Sequence, residues 1–420
     1  MFFLYQIIIT ITLIFSPLII FFRILKKKED KKRYKEKFCF PSKKRISGNL
    51  IWFHGSSVGE LLSILPLVQE LEKNKSINQI LITTSTLSSA QIFKKFNFKK
   101  TVHQFFPIDS IFFSYKFLNY WKPTIAIFIE SEIWPSIFKI INKKKIPLTL
   151  LNARITKKTF DKWRHVKKFS NSVFQNISIA YPQNEETYNY LKKLNISKVK
   201  KIGNLKFFNN QQSKFTKLDK IFLKNINLKK VWCASSTHPG EEIICANTHV
   251  KLKKKYKNLL TIIIPRHIHR VSKIVDEIKG LDLNIVLHSS KPKKLNNTDI
   301  YLVDTYGETK KFYQSSNIVF MGKSISGNGG QNPLEPTNLG STVLHGPNVD
   351  NFKDTYKLLN KLKIAYKVNG VKSLTQSIDK LITNPNNKKN YLKIAKIGKK
   401  ILNETKDEIN SLFNNEIKKT

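Results

Sequence analysis

The stretch Asn49–Asn74, NLIWFHGSSVGELLSILPLVQELEKN, holds the repeating unit of the fold. It opens on a short apolar run, Leu50 to Phe53, with no polar alternation. Such a run marks a strand covered on both faces. Glycine and serine follow, and from Gly59 the apolar residues recur at helical spacing. Strand, thin turn and helix make one βα unit. The pattern repeats at QILITT, TIAIFIE, IPLTLLN and NISIAYPQ, and again at KKVWCASS, LLTIIIPR, LNIVLHS, DIYLVD, SNIVFMG and STVLHG. Buried strands separated by helices predict parallel sheets with helices on both faces. Between the two series, residues 207–230 are polar, lack a strand run and read as a linker. The expectation is an α/β chain of two doubly wound, Rossmann-like domains, 48–206 and 231–385, followed by a helical segment, 386–420.

At 420 residues the chain is too long for one typical core, which agrees with two domains. Its formal charge is +45, from 74 Lys+Arg against 29 Asp+Glu. Lysine is abundant everywhere, loops included, so most of this charge reads as compositional bias. The remainder suits an anionic membrane surface. A nucleic-acid partner is not expected, because the chain has neither zinc-knuckle spacing nor a glycine–aromatic strand motif. Cys39, Cys233 and Cys245 have no CxxC spacing, and the last two sit in apolar runs as ordinary core residues.

Residues 1–22, MFFLYQIIITITLIFSPLIIFF, carry no charged side chain and are long enough to cross a bilayer core. Arg23, Lys26, Lys27, Lys28, Lys31, Lys32 and Arg33 follow in a basic stem, 23–47. Positive charge after the apolar run, not before it, predicts a membrane anchor with the rest of the chain in the cytoplasm. Pro17 leaves room for a kinked or shallow insertion in place of a span.

In doubly wound sheets ligands bind beyond the carboxyl ends of the strands. Glu60 lies there, although Ser57-Val58-Gly59-Glu60 also has the spacing of a capping box, which asks no chemistry of it. Glu130 and Glu132 come straight off another apolar run, on one side of the chain if it stays extended, or else as caps of the helix that Pro135 opens. Arg154 and Lys206 follow apolar runs in LLNARI and IGNLKF. In the second half Ser236 and Thr237 precede a helix start marked by Pro239, and Arg266 and His267 follow the next strand. His267 and His269 lack a third ligand at useful spacing, so no metal site is read. Thr305 and Glu308 again have capping-box spacing.

Six of the 15 glycines fall between Gly322 and Gly346, and Asn332-Pro333-Leu334-Glu335 follows the densest part. Glycine admits positive φ and close approach, which predicts a loop lying against a ligand, with Glu335 accepting the two hydroxyls of a ribose. The loop is neither a dinucleotide fingerprint nor a triphosphate cradle, so a nucleotide-linked donor with fewer phosphates is the simplest choice.

Together SSVGE, ESEIWP, LNARI, GNLKF, ASSTHPGEE, PRH, DTYGE and GGQNPLEP resemble, in order and along essentially the whole chain, the bacterial 3-deoxy-D-manno-octulosonic acid (Kdo) transferases. The resemblance implies a GT-B fold with two domains facing a cleft. It implies transfer of Kdo from CMP-Kdo to the lipid A precursor, lipid IVA, at the cytoplasmic face of the inner membrane, with no cofactor and no divalent metal. It makes Glu60 the general base and gives Glu130 and Lys206 to transition-state stabilisation. It gives Arg266, His267, Tyr306, Gly307, Glu308, Asn332, Pro333, Leu334 and Glu335 to CMP binding. Arg154, Ser236 and Thr237 are candidates for the donor's carboxylate and phosphate. The chain departs from the family pattern at Gln331, commonly His, at Tyr306, commonly Met, and at Gly55-Ser56. The rival readings are a GT-B lipid glycosyltransferase using a UDP-sugar, and a basic membrane-attached binding protein without catalysis.

Overall fold

In the computed structural model the described residues are 1–208, 218–292, 294–384 and 387–419. They form two units, one from residues 1–208 and 398–420, the other from 209–397. Residues 209–217 of the stretch read as a linker lie outside the described residues. Its later part is a helix, Lys220–Asn227, whose Phe222 packs on Tyr301 at 4.9 Å between ring centroids.

The N-terminal unit is built on β1 (Leu50–His54), β2 (Gln79–Thr84), β3 (Thr101–Phe105), β4 (Ile125–Ile129), β5 (Leu148–Ala153) and β6 (Ile179–Pro182). All pair in parallel, in the order β3-β2-β1-β4-β5-β6. The continuous apolar runs predict burial on both faces, and every residue of β1, β2, β4, β5 and β6 is buried. The chain leaves β1 towards β3 and returns on the other side at β4. This reversal opens a crevice beyond His54 and Ile129.

The second unit repeats the scheme with β7 (Lys230–Thr237), β8 (Leu259–Pro265), β9 (Ile285–Leu287), β10 (Ile300–Leu302), β11 (Ile318–Met321), β12 (Thr342–His345) and β13 (Ala365–Lys367). Their order is β13-β12-β11-β7-β8-β10-β9, again all parallel. Its reversal lies between β7 and β11. Each unit has its own core, one around Trp52, Phe117, Phe128 and Phe138, the other around Trp232, Leu302, Ile318 and Phe320. Cys233 and Cys245 are buried core residues, and burial pushes both thiols up.

The chain closes with one long helix, Asn387–Ile417, whose residues from Gly398 onward belong to the N-terminal unit. There Tyr181 donates to Glu408 (2.9 Å) and Asn74 to Asn410 (3.0 Å). At the other end Phe2–Leu25 forms one helix that continues through Pro17. Among the described residues it alone is long and apolar enough to cross a membrane. The basic stem folds onto the unit as well. The Arg23 and Lys37 side chains pair with buried Glu29 (3.1 and 2.6 Å), and Arg33 pairs with buried Glu36 (2.7 Å). Glu36 also accepts the backbone N–H of Phe105 in β3. Not all the stem's cations are therefore available to a lipid surface; Lys26, Lys27, Lys28, Lys31 and Lys32 are exposed.

Candidate active site

Beyond β1 the chain turns through Gly55 and Ser56, and Ser57 caps the helix Val58–Leu71. The capping box forms: Ser57 Oγ accepts the Glu60 N–H (3.3 Å) and the Glu60 carboxylate accepts the Ser57 N–H (3.2 Å). A Cβ on Gly55 would sit 3.1 Å from that of Glu60, so the turn must be thin at this point. Glu60 is half-buried.

The extended chain ends at Ile129. Glu130 has φ +56°, a left-handed conformation costing a non-glycine residue about 1–2 kcal/mol. This turn separates the two acids that extended spacing would hold on one side. Glu130 is 6% exposed and ion-pairs with Lys206 of the turn Leu205–Phe207. That turn is tied to β5 by Asn152, itself at φ +52°, whose side chain accepts the Leu205 N–H (3.1 Å). Half-buried Arg154 donates its backbone N–H to the Glu130 carbonyl (3.2 Å). Glu130, Lys206 and the backbone of Arg154 thus meet at the end of β4.

Glu132 carries more of the site than its place in ESEIWP suggests. Its Oε2 accepts from Ser56 Oγ (2.5 Å), Trp134 Nε1 (2.8 Å) and His54 Nε2 (3.2 Å). Burial alone would raise this carboxyl; the bonds from His54, Ser56 and Trp134 more than offset it and hold the group below the usual range. Burial also keeps His54 below its ordinary value, hence neutral. Glu60 shifts the opposite way, raised first by burial and then by the charge of Glu132, with Glu130 adding to it. Two neighbouring carboxylates with proton affinities pushed apart form an acid–base arrangement, in which Glu132 stays charged and Glu60 is the more basic.

In the second unit the residues after β7, β8, β10 and β11 line one edge of the sheet. Ser236 has φ +55° where β7 bulges against β8, and Thr237 is buried with no hydrogen-bond partner for its hydroxyl. The next helix begins at Glu241, two residues beyond Pro239. Exposed Arg266 donates its backbone N–H to the Thr237 carbonyl (3.1 Å), and exposed His267 follows it. Tyr306 is exposed, Gly307 has φ +86°, and Glu308 pairs with Lys311 (2.6 Å). The Thr305–Glu308 capping box does not form, because the helix starts only at Thr309. Lys310 of that helix lies 3.7 Å from Glu335, which is exposed in the first turn of Leu334–Asn338. Asn332 accepts the Leu334 N–H (3.1 Å), and Pro333 is buried at the N-cap.

The glycine cluster has an internal reason as well. Glu241, fully buried, accepts the N–H groups of His238 (2.9 Å), Lys323 (2.7 Å), Ser324 (2.9 Å) and Ile325 (2.9 Å). It binds the loop after β11 to the loop after β7. A Cβ at Gly322 would lie 2.4 Å from the Ser236 carbonyl oxygen, and one at Gly346 only 2.0 Å from that of Ser324. At these two positions the chain itself takes the space that a ligand was expected to take.

Two doubly wound parallel units in one chain, with acids at one strand reversal and loops suited to an anion at the other, define a GT-B protein. The solved UDP-GlcNAc 2-epimerase from Neisseria meningitidis shares this fold, with a TM-score of 0.58 and 16% identity over 88% of this chain and 100% of that one. Residues 32–209 match the family described as 3-deoxy-D-manno-octulosonic-acid transferase (kdotransferase). The 3-deoxy-D-manno-octulosonic acid transferase of Rickettsia bellii is 35% identical over 408 residues, covering 94% of this chain and 96% of the relative. That of Haemophilus influenzae is 28% identical, covering 86% and 85%. The chain belongs to the Kdo transferase family and is a glycosyltransferase.

Proposed function

We propose that the enzyme transfers Kdo from CMP-Kdo to a hydroxyl of the lipid A precursor, lipid IVA, with inversion. The observation that carries this reading is the carboxylate cluster at the β1/β4 reversal, where burial and then the charge of Glu132 raise the basicity of Glu60. As the acceptor oxygen bonds to the anomeric carbon of Kdo, Glu60 takes its proton. The bond from that carbon to the phosphate oxygen breaks, and its electron pair leaves with CMP. A single displacement of this kind inverts the centre. Lys206, held by Glu130, supplies positive charge for the transition state. Arg154 is assigned to the Kdo carboxylate. Arg266, His267, Ser236 and Thr237 are assigned to the phosphate; the unpartnered Thr237 hydroxyl supports this, since a phosphate oxygen would satisfy it. Tyr306, Gly307, Glu308 and the segment Asn332–Glu335 are assigned to the cytidine, with Glu335 on the ribose.

The apolar helix Phe2–Leu25 is assigned to the inner membrane as an anchor that keeps the rest of the chain on the cytoplasmic side, where a lipid acceptor is met. Incubation with CMP-Kdo and lipid IVA, followed by mass spectrometry of the lipid, tests the assignment. The lipid should gain the mass of Kdo, and UDP-sugars should not replace the donor. An unchanged lipid beside a folded protein would favour a non-catalytic binding role.

A further inference from the structure

The helix Phe2–Leu25 is covered on one stripe along its whole length. Phe2, Tyr5, Gln6, Ile9, Leu13, Ser16, Ile20, Arg23 and Ile24 are buried or half-buried, at the three- and four-residue spacing of a single helical face. The covering surface belongs to the N-terminal unit. Tyr5 donates to Asp109 (2.6 Å) and Gln6 to Ser136 (2.8 Å). The Phe2 ring lies 6.4 Å from that of Phe169, and the Lys139 ammonium stands 4.2 Å from the Phe2 ring centroid. At the far end Arg23 pairs with Glu29. Glu29 lies six residues on in the stem, and that stem is tied to the unit where Glu36 accepts the Phe105 N–H.

A helix of 24 residues is about 36 Å long, against a bilayer core of about 30 Å. Were it to span, with the basic stem on the cytoplasmic side, residues 2–6 would emerge at the opposite face. Asp109, Ser136, Lys139 and Phe169 would then be a membrane's thickness away. The contacts of Phe2, Tyr5 and Gln6 are lost in that arrangement, while the local Arg23–Glu29 pair is kept. The uncovered faces include Phe3, Ile8, Ile14, Phe15, Leu18 and Phe22, more than half exposed in each case and without a charge among them. Lysines stand beyond each end, Lys139 at one and Lys26, Lys27 and Lys28 at the other. An apolar ridge between cations on one side of a protein matches a single leaflet, with acyl chains under the ridge and phosphates at its ends.

We propose that residues 2–25 do not cross the bilayer but lie along the N-terminal unit, with their uncovered faces embedded in one leaflet. This rests on the membrane reading given above and specifies its geometry. In the full-length chain in native membranes, Gln6→Cys with Ser136→Cys should be joined by a short bis-maleimide about tenfold more than a control pair, Gln6→Cys with Lys418→Cys, because neighbouring groups react at high effective concentration. Phe2→Cys with Lys139→Cys repeats the measurement with different side chains, should the first pair misfold. The joined protein should still float with vesicles of zwitterionic and anionic lipid. No joining above control in either pair, with the protein still membrane-bound, would overturn the in-plane geometry and leave the membrane reading standing. Joined protein that fails to float would overturn the membrane reading itself.

Discussion

Glu60 and Glu241 occupy the same place in the two units. Each lies just inside the helix that follows the central strand, and each accepts the backbone N–H of the residue three before it. The surroundings then diverge. Glu60 is half-buried and stands among two other carboxylates. Glu241 is fully buried and gathers three more N–H groups from residues 323–325. Glu60 is the third helical residue and closes a capping box, whereas Glu241 is the first helical residue, behind Gly240, and closes none. What separates the two carboxylates is how many donors already occupy each, and what charge stands beside it.

The largest effect is expected where the carboxylate is structural. Glu241→Ala leaves four N–H groups, one buried and three part-buried, without their acceptor, at about 1–3 kcal/mol each when nothing replaces it. Calorimetry should show the C-terminal unit unfolding far earlier, by at least about 4 kcal/mol. A normally folded but inactive variant would break the contrast. Next comes Glu60→Gln, which keeps the capping bonds but cannot take a proton. Transfer should fall by about 10²-fold or more with little change in melting. Near-normal turnover would make Glu60 a helix cap and nothing more.

Glu335→Ala should weaken CMP binding roughly ten- to hundredfold, the effect of losing a charge-assisted bond of about 1.5–3 kcal/mol. Its exposure and distant ion pair leave folding nearly untouched. Titration calorimetry beside a ligand-free melt separates the two; normal CMP affinity would remove Glu335 from the nucleotide site. The smallest effect is a shift in pH dependence. Because Glu60 is raised, activity should be lost on the acid side, as pH falls through its elevated value and the base is protonated. Glu132→Gln removes one cause of that elevation, so the acid limb should move to lower pH, although burial still holds part of the shift. An unmoved limb would mean that Glu132 does not act on the base. The lowered carboxyl of Glu132 also contributes stability present above its unfolded value and lost as pH falls through its folded one; the variant should melt with a weaker acid dependence.

The strands that read clearly in the sequence are those buried on both faces, because sidedness costs them no polar alternation. β3 does not read so. Its TVHQF carries His103, buried against Arg33 (2.9 Å), which lies 70 residues earlier, and Gln104, whose buried side-chain amide has no hydrogen-bond partner among the described residues. β13 is a three-residue edge strand with two exposed positions, too short for a pattern. In the site, Glu60, Glu130 and Lys206 stand out by their place after apolar runs, and the structure pairs the last two. Glu132 is visible as an acid, but its hold on the site comes from His54 and Ser56, more than 70 residues away. Glu241 is hidden for the same reason, since its N–H donors lie more than 80 residues on. Local spacing shows where a carboxylate stands and not what comes to meet it.

The seating of the first helix bears on the order in which the chain is made. Residues 2–25 leave the ribosome long before Asp109, Ser136 and Phe169, the residues they dock against. At ribosomal rates of about 5–20 residues per second, the wait is on the order of ten seconds. During that interval the apolar faces and the stripe later covered by protein are all uncovered, and the proposed leaflet would receive them. The proposed seating therefore has membrane contact precede folding of the enzyme, with the N-terminal unit assembling on a helix already held at the lipid surface.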